Sequence, residues 1–313
     1  MASPGKLQQA LRGETISSRE NRWLKRFRAA LRSGPVPAEA TIGVEGARLV
    51  EEALRSRLVV EAVLVSASGE RHLERLAPWL EPNVRLLRTS DRLFAGVADT
   101  QTPQGVAALV HPRAVGFEDL LRGGGAAAPL VIVLVGVQDP GNVGTIVRAA
   151  EAFGATGVAT CGHGSSGSAH PLSPKALRAS AGSSLRLPVV HGVGVSILLA
   201  QLRVASVKTY AACPELPPGT AWAAAPAPTR VPDAAPREPA RGAAPILAPW
   251  QADLRGGCAL LVGNEGAGLP PEVEHSADAR VRIPLALGVE SLNAAVAASV
   301  LLYEAARQRA LGS

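Results

Sequence analysis

The chain has 313 residues, of which 47% are apolar and 19% are charged, a composition that fits a folded globular protein. This length predicts two domains, each with enough chain for a core. Three cysteines lie far apart without metal-ligand spacing, which favours a reduced compartment and no metal site. Because we find neither an apolar signal core near the first residues nor an apolar run of membrane-spanning length, we expect a cytoplasmic protein without a membrane partner.

The net charge of +6 is concentrated near the beginning of the chain. Residues 1–32 contain eight lysines and arginines against two glutamates, so the remainder is neutral. A basic cluster that includes aromatic residues is typical of contact with a phosphate backbone. The candidates for this contact lie beside Trp23 and are Arg22, Lys25 and Arg26.

The same basic stretch predicts an amphipathic helix over residues 17–32, with Ser17 or Ser18 as its N-cap. Its apolar residues recur at helical spacing and would form a buried face. They are Leu24, Phe27 and Leu31. The packing role and the phosphate-binding role are compatible, because they use different faces of one helix.

Short strands and helices alternate in the first part of the chain and predict a small α/β domain over residues 1–115. The predicted strands are 41–45, 59–66, 84–87 and 106–110, and the predicted helices are 46–56 and 71–80. A stretch rich in glycine and alanine predicts a linker at 116–129.

The second predicted domain covers residues 130–313 and begins with a buried parallel strand at 130–137. Residues 214–249 contain ten prolines and few large apolar residues. Such a composition cannot bury a core, so this segment is predicted to be a disordered or extended insertion. A tolerated surface loop and a partner-docking role both remain open for it.

Polar residues follow the first strand of this domain in the segment Asp139–Gly154. A glycine-containing turn is followed by a helix that begins near Asn142 or Val143. A purely structural interpretation makes Asn142 the N-cap, Gly144 a packing residue and Arg148 a surface cation. Taken alone, this segment favours the structural interpretation.

Two further segments have the same strand–turn–helix character. In the run from Leu260 to Pro270, an apolar strand ends in a glycine-rich turn that carries Glu265, which predicts either a tight turn or a ligand cradle. The segment from Val281 to Ser299 predicts a short strand, a loop that bends through Gly288 and an alanine-rich helix that begins near Ser291. Asparagine is a poor helix former, so Asn293 in the first helical turn is harder to explain structurally.

Together the three segments resemble the SpoU-like, TrmH-type branch of the SPOUT RNA methyltransferases. The resemblance lies in three motifs and their order: Asn142-x-Gly144-x-x-x-Arg148, then Gly263-Asn264-Glu265-Gly266-x-Gly268, then Ile283-Pro284 followed by Ser291-Leu292-Asn293. It covers residues 130–313 apart from the insertion. The N-terminal domain more weakly resembles the small α/β RNA-binding domain that often precedes this catalytic domain.

The resemblance implies an α/β fold with a parallel sheet and a C-terminal trefoil knot, a rare exception to the rule against knots. It implies a homodimer with an active site at the interface, and S-adenosylmethionine as the cofactor. Backbone amides and apolar side chains suit the adenosine part of this cofactor. The implied cofactor-binding residues are Gly263, Asn264, Gly266, Gly268, Ile283, Leu285 and Leu292.

The implied reaction is methyl transfer to a ribose 2′-hydroxyl of RNA. The family assigns Arg148 closest to this hydroxyl, where a guanidinium can anchor a phosphate or stabilise alkoxide charge. The remaining implied catalytic residues are Asn142, Glu265, Ser291 and Asn293. The sequence leaves open whether Glu265 holds Arg148 or accepts a proton. Ribosomal RNA is preferred over transfer RNA as substrate, because an extra N-terminal domain is common among the ribosomal enzymes of this family.

Two other functions agree less well with the sequence. A nucleotide-dependent oxidoreductase is disfavoured, because the turn at 139–144 lacks the G-x-G-x-x-G spacing and no acidic residue marks a second strand end. A non-catalytic RNA-binding protein of the same fold is disfavoured by the intact polar residues of all three motifs.

Overall fold

The computed structural model describes residues 13–35, 41–122, 128–163, 166–213, 244–286, 289 and 291–311. The chain forms two compact units. The first contains residues 1–115 together with the segments 143–148 and 170–188. The second contains residues 116–142, 149–169 and 189–313. Most of the proline-rich insertion, at 214–243, and the bend at Gly288 lie outside the described residues.

The first unit is built on a five-stranded sheet with the order β1-β4-β3-β5-β2. Strands β1 and β3 pair parallel with β4, whereas β2 and β3 pair antiparallel with β5. The strands are β1 (Glu14–Thr15), β2 (Ile42–Glu45), β3 (Val59–Ser66), β4 (Arg85–Thr89) and β5 (Val106–His111).

Helices cover both faces of this sheet, and alternate residues of each strand supply the two cores. Helix α1 (Arg22–Ser33) buries Trp23, Leu24 and Phe27 on one face. Helix α2 (Ala47–Arg55) packs on the opposite face. The remaining helices among the described residues up to 115 are α3 (Leu73–Leu76) and α4 (Asp91–Ala95).

Two predicted helices differ from those observed. Helix α1 begins at Arg22 rather than 17, because Asn21 is its N-cap and accepts a hydrogen bond from the Trp23 N–H. The segment predicted as one helix over 71–80 is 3₁₀ at Ser68–His72, helical over α3 and 3₁₀ again at Ala77–Trp79. Pro78 lies in the last of these turns and lacks the N–H that a longer helix needs.

The second unit contains an eight-stranded sheet, and seven of its strands run parallel. Their spatial order is β11-β13-β10-β12-β6-β7-β9, and β8 pairs antiparallel with β7. The strands are β6 (Leu130–Val135), β7 (Gly157–His163), β8 (Ser166–Gly167), β9 (Val189–Gly194), β10 (Lys208–Ala212), β11 (Ile246–Leu247), β12 (Cys258–Val262) and β13 (Ala279–Val281). Central strands β6 and β12 are buried throughout, as their apolar runs indicate.

Seven helices complete the described part of the chain. They are α5 (Phe117–Arg122), α6 (Pro140–Ala152), α7 (Pro174–Ala179), α8 (Ser183–Arg186), α9 (Val195–Val204), α10 (Pro271–Ser276) and α11 (Ala294–Leu311). None of the helices in the described residues is long and apolar enough to cross a membrane.

Two elements occupy segments that the sequence analysis assigned to irregular chain. Helix α5 lies in the predicted linker, where its Leu120 is buried and packs against Gly157. The glycine- and alanine-rich run at 123–128 dominates the composition of this segment, so the one apolar helical turn before it was not predicted. Strand β11 lies in the predicted insertion, and its two residues pair with β13. Two residues are too few to produce a periodic signal.

Gly144 is a packing residue in the first unit. A Cβ at this position would overlap the carbonyl oxygen of Ala176 and lie 2.7 Å from the Cβ of Ala179. Helix α6 therefore approaches α7 as closely as glycine permits. This contact explains the first glycine of the motif without a ligand.

We expect Gly144→Ala to lower the free energy of unfolding by about 1–3 kcal/mol, because the added methyl overpacks the contact with α7. Urea unfolding monitored by circular dichroism measures the change. Gly167→Ala is the matched control, since a Cβ at Gly167 meets no atom within 4 Å. Equal stability of the two variants would contradict the packing role of Gly144.

Candidate active site

The candidate site lies where parallel strands of the second unit end. Strands β10, β12 and β13 place their carboxyl ends at one edge of the sheet, the position at which open α/β sheets bind ligands. A pocket lies at this edge. Its lining residues are Ala212, Cys213, Val262, Gly263, Asn264, Glu265, Gly266, Gly268, Val281, Ile283, Leu285, Ser291, Leu292, Ala294 and Ala297.

The turn after β12 is held by its own backbone and by Asn264. The backbone N–H groups of Asn264 and Gly268 each donate to the carbonyl of the other residue, at 2.9 and 3.0 Å. The Asn264 Oδ1 accepts from the N–H groups of Gly266 and Ala267. Gly268 has a φ of +70°, which favours glycine. The Asn264 side chain therefore shapes the turn, and the turn lines the pocket.

A chain of hydrogen bonds joins the polar residues of all three motifs. Asn142 Nδ2 donates to Glu265 Oε1 at 2.8 Å. Asn142 Oδ1 accepts from Asn293 Nδ2 at 3.1 Å. Because Asn142 donates on one side and accepts on the other, its amide has a defined orientation. The structure thus brings together three residues separated by up to 151 positions.

The helix caps explain why these side chains are available. Asn142 is not the N-cap of α6, as the structural interpretation of the sequence had it. Asp139 caps this helix by accepting a 2.8 Å hydrogen bond from the Gly141 N–H, so the amide of Asn142 is free to reach Glu265. Helix α11 begins at Ala294 rather than Ser291, and Asn293 Oδ1 accepts from the Ala295 N–H at 2.8 Å. Asn293 therefore caps its own helix and orients Asn142 at the same time.

Glu265 lies at the N-terminus of α6. Burial alone would raise the pKa of Glu265, but hydrogen bonds from Asn142 and from the Gln138 backbone bring that pKa below its ordinary value. The helix dipole adds to the preference for a carboxylate here. An anion with a lowered pKa is a weak base, so this arrangement favours a positioning role over proton transfer.

The remaining predicted residues lie in several places. All seven predicted cofactor residues line the pocket, as do Glu265 and Ser291. Arg148 lies two turns along α6 from Asn142, has an exposed side chain and belongs to the first unit. Lys25 and Arg26 of α1 form ion pairs with Glu20 and Glu61.

Sequence reasoning missed some lining residues, of which Cys213 is the most reactive type. Burial raises the pKa of Cys213, which keeps its thiol protonated. Its position directly after β10 could have placed it in the site, because residues at the carboxyl ends of parallel strands meet at one edge of the sheet. No cluster of three or more His, Cys, Asp or Glu side chains that would hold a metal occurs among the described residues.

We expect Glu265→Gln to be less stable than the wild type at neutral pH by less than about 1 kcal/mol, since the carboxylate is exposed and screened. The pKa of Glu265 is lowered on folding, so its stabilisation is present above the pKa of the unfolded chain, about 4.3, and is lost as the pH falls through the folded value. Urea titrations at pH 7 and pH 3 measure this difference. A constant gap between the two proteins would contradict the bonding of an ionised Glu265.

Comparisons with known proteins match this chain over most of its length. The model of the SpoU rRNA Methylase family matches residues 129–303, and that of the MRM3-like substrate binding domain matches residues 38–108. The 23S rRNA (guanosine(2553)-2′-O)-methyltransferase RlmP of Bacillus subtilis is 33% identical over 263 residues, which cover 84% of this chain and 87% of that protein.

Solved structures are similar to this chain over more than nine-tenths of its length. The AdoMet-bound rRNA methyltransferase from Sinorhizobium meliloti superposes with a TM-score of 0.73 at 25% identity, covering 94% of this chain and 97% of that one. The SpoU methyltransferase AviRb from Streptomyces viridochromogenes, in complex with AdoMet, has a TM-score of 0.72 at 25% identity, with 93% and 99% covered.

Proposed function

Because the chain belongs to the SpoU rRNA methylase family, we propose that this protein transfers a methyl group from S-adenosylmethionine to a ribose 2′-hydroxyl of ribosomal RNA. The single observation that carries the proposal is the bonded series Glu265–Asn142–Asn293 beside the pocket. It joins one polar residue from each motif, and neither of its two hydrogen bonds belongs to the pairing of the strands. The named 2′-O-methyltransferase relatives support ribosomal RNA as the substrate.

The residues that line the pocket support S-adenosylmethionine binding at this place. Apolar side chains of Val262, Ile283, Leu285 and Leu292 form its walls, and glycine-rich backbone forms its rim. Such walls suit an adenine ring, while exposed main-chain groups bind the edges of the ring and the ribose. We assign the turn at 263–268 and the residues Ile283, Leu285 and Leu292 to cofactor binding. The bound cofactor supplies an electrophilic methyl carbon on a sulfonium.

The side chains of this protein must bring the ribose oxygen into line and stabilise the charge that develops as its proton leaves. We assign that stabilisation to Arg148, because a guanidinium stays protonated and is a poor base. Glu265 holds Asn142, and Asn293 fixes the other end of the same amide. Ser291 contributes its hydroxyl to the polar side of the pocket. Glu265 is thus a positioning residue.

The proposal extends to the organisation of the protein. We infer an RNA-binding domain at 1–115, with Arg22, Lys25 and Arg26 among its candidate contacts, a linker at 116–129 and a methyltransferase domain at 130–313 whose C-terminal segment forms the trefoil knot of its family. We also infer a cytoplasmic location, which an rRNA substrate supports. Transfer RNA is the alternative substrate, and a non-catalytic RNA-binding protein is the alternative function.

We expect Arg148→Ala to lower kcat for methyl transfer by about 100-fold or more, because the developing oxyanion loses its charged partner. The affinity for S-adenosylmethionine should change by less than about twofold, since the pocket residues are untouched. Transfer of a radioactive methyl group to ribosomal RNA, together with calorimetric titration of the cofactor, measures both quantities. Arg203→Ala, which removes an exposed arginine from α9, is the control and should retain full activity.

The same measurements separate the alternatives. Binding of NAD in place of S-adenosylmethionine would identify an oxidoreductase. Cofactor binding without transfer to any RNA would identify a non-catalytic protein. Methyl transfer to tRNA but not to ribosomal RNA would identify tRNA as the substrate. Undiminished turnover in Arg148→Ala would remove this residue from the mechanism.

We also propose a homodimer formed through helix α11. Three of its apolar residues are exposed at i, i+4 and i+7 and therefore share one face: Val296 at 49%, Val300 at 37% and Tyr303 at 57%. Phe153 extends this patch, because its ring packs edge-on against Tyr303 with centroids 5.9 Å apart. An exposed apolar stripe along a helix suits a second copy of the same helix.

We expect the double variant Val300→Glu, Tyr303→Glu to weaken dimerisation by more than about 100-fold, because burying two carboxylates per subunit costs several kcal/mol. Sedimentation velocity over a concentration series measures the association. Val204→Glu, at a residue that is 87% exposed on α9, is the matched control and should leave the dimer intact. A monomeric wild type, or a dimeric double variant, would overturn this interface.

A further inference from the structure

Three guanidinium groups surround one tryptophan ring in the first unit. The Cζ atoms of Arg22, Arg26 and Arg85 lie 5.5, 5.1 and 5.7 Å from the centroid of the Trp23 ring. Trp23 is only 5% exposed and belongs to the core under α1. Its position is therefore fixed by packing, and the three cations are held against a rigid aromatic surface. We call these four residues the Trp23 cluster.

The Trp23 cluster has less negative charge than its three cations require. Glu61 binds Arg26 with two hydrogen bonds, at 2.5 and 2.8 Å, and its Oε2 also lies 3.4 Å from His111 Nε2. In the part of the chain that the structure describes, neither Arg22 nor Arg85 has a carboxylate partner. Two positive charges near the same ring thus lack a carboxylate partner, and a bound anion would stabilise them.

The other basic residues of α1 have internal partners. Arg28 and Arg32 donate to the carbonyl oxygens of Gly96 and Ala98, so they fasten the helix to the loop after α4. Lys25 pairs with Glu20, and both side chains are largely exposed. Carbonyl oxygens do not neutralise Arg28 and Arg32, but they hold both side chains against that loop. Among the described basic residues of α1, Arg22 at the first position has neither a hydrogen bond nor an ion pair and is exposed.

Arg85 joins this site through the fold. It is the first residue of β4, it pairs with Ala62 of β3, and it lies on the sheet face that α1 covers. Sixty-three positions separate it from Arg22, so no local pattern connects the two. Parallel pairing of β3 with β4, and the packing of α1 across them, bring both guanidinium groups to one ring.

We propose that the Trp23 cluster binds phosphate groups of the RNA backbone. The inference rests on the proposed function and deepens it, because it specifies which residues of the first unit hold the substrate. A guanidinium presents a planar pair of donors that matches two phosphate oxygens, and the cation–π contact with Trp23 restrains its position. Preorganised cations lose little conformational entropy on binding. Arg22 and Arg85 supply the phosphate contacts, and Glu61 holds Arg26 between them.

The experiment compares Arg22→Gln, Arg85→Gln with the wild type and with Arg48→Gln. Arg48 is exposed on α2, on the opposite face of the sheet, so its variant shows the effect of removing one positive charge away from the Trp23 cluster. Fluorescence anisotropy with a labelled fragment of ribosomal RNA, measured across a salt series, gives affinity and its salt dependence. Circular dichroism of each variant checks that it is folded.

We expect the double variant to bind RNA about tenfold or more weakly near 0.1 M salt. The slope of log affinity against log salt should become shallower by about 1.4, since each lost contact with a single strand removes about 0.7. Arg48→Gln should keep the wild-type slope. Arg22→Lys, Arg85→Lys should retain most of the slope and lose part of the affinity, because an ammonium keeps the charge without the planar donor pair.

An unchanged slope in the folded double variant would overturn the proposal, and so would an equal loss in Arg48→Gln. Methyl transfer by the same proteins separates this failure from that of the proposed function. If the wild type binds RNA through the Trp23 cluster but transfers no methyl group, the proposed activity is wrong and the RNA-binding role of the cluster is supported. An active enzyme whose KM for RNA is the same in the double variant would disprove the cluster alone.

Discussion

The hydrogen bonds of Asn142 are the constraint on which the candidate active site depends. This one amide donates to Glu265 and accepts from Asn293, so it fixes the turn after β12 and the start of α11 relative to α6. Each bond is local and modest in energy, because its groups are exposed. Their combination is specific, since an amide can satisfy both neighbours in only one orientation.

Helix termini supply much of the geometry around this amide. Asp139 takes the capping role at α6, which leaves Asn142 free, and Asn293 caps α11 with one atom while it binds Asn142 with another. The carboxylate of Glu265 accepts from the backbone N–H of Gln138, the residue that precedes the N-cap of α6. The site thus lies where two helices begin and their capping side chains meet, and the carboxylate of Glu265 is placed among them.

The motif glycines have different physical tasks. Gly144 permits close packing of α6 on α7, whereas a Cβ at Gly263 would overlap the backbone of Gly268 and Leu269. Both are required by contacts within the fold. The sequence motifs therefore mix residues that form the pocket with residues that let its elements approach. The strand ends were predictable, because a buried apolar run followed by glycine marks a strand edge. The pocket-lining residues were predicted from the resemblance of the motifs to a known family. The residues that cap α6 and α11 were not predictable, because each helix start offers several polar residues and packing decides which of them is the cap.

By itself the sequence determined the buried strands, the amphipathic character of α1 and the three polar turns, since periodicity and turn residues act over short stretches of chain. Its motifs also identified the family. Only the tertiary structure decided which residues share a site. Arg85 meets Arg22 and Arg26 at one indole ring because strand pairing and helix packing bring distant positions together. Likewise β11 and α5 form within segments of irregular composition, because the neighbouring sheet supplies partners that no local pattern encodes.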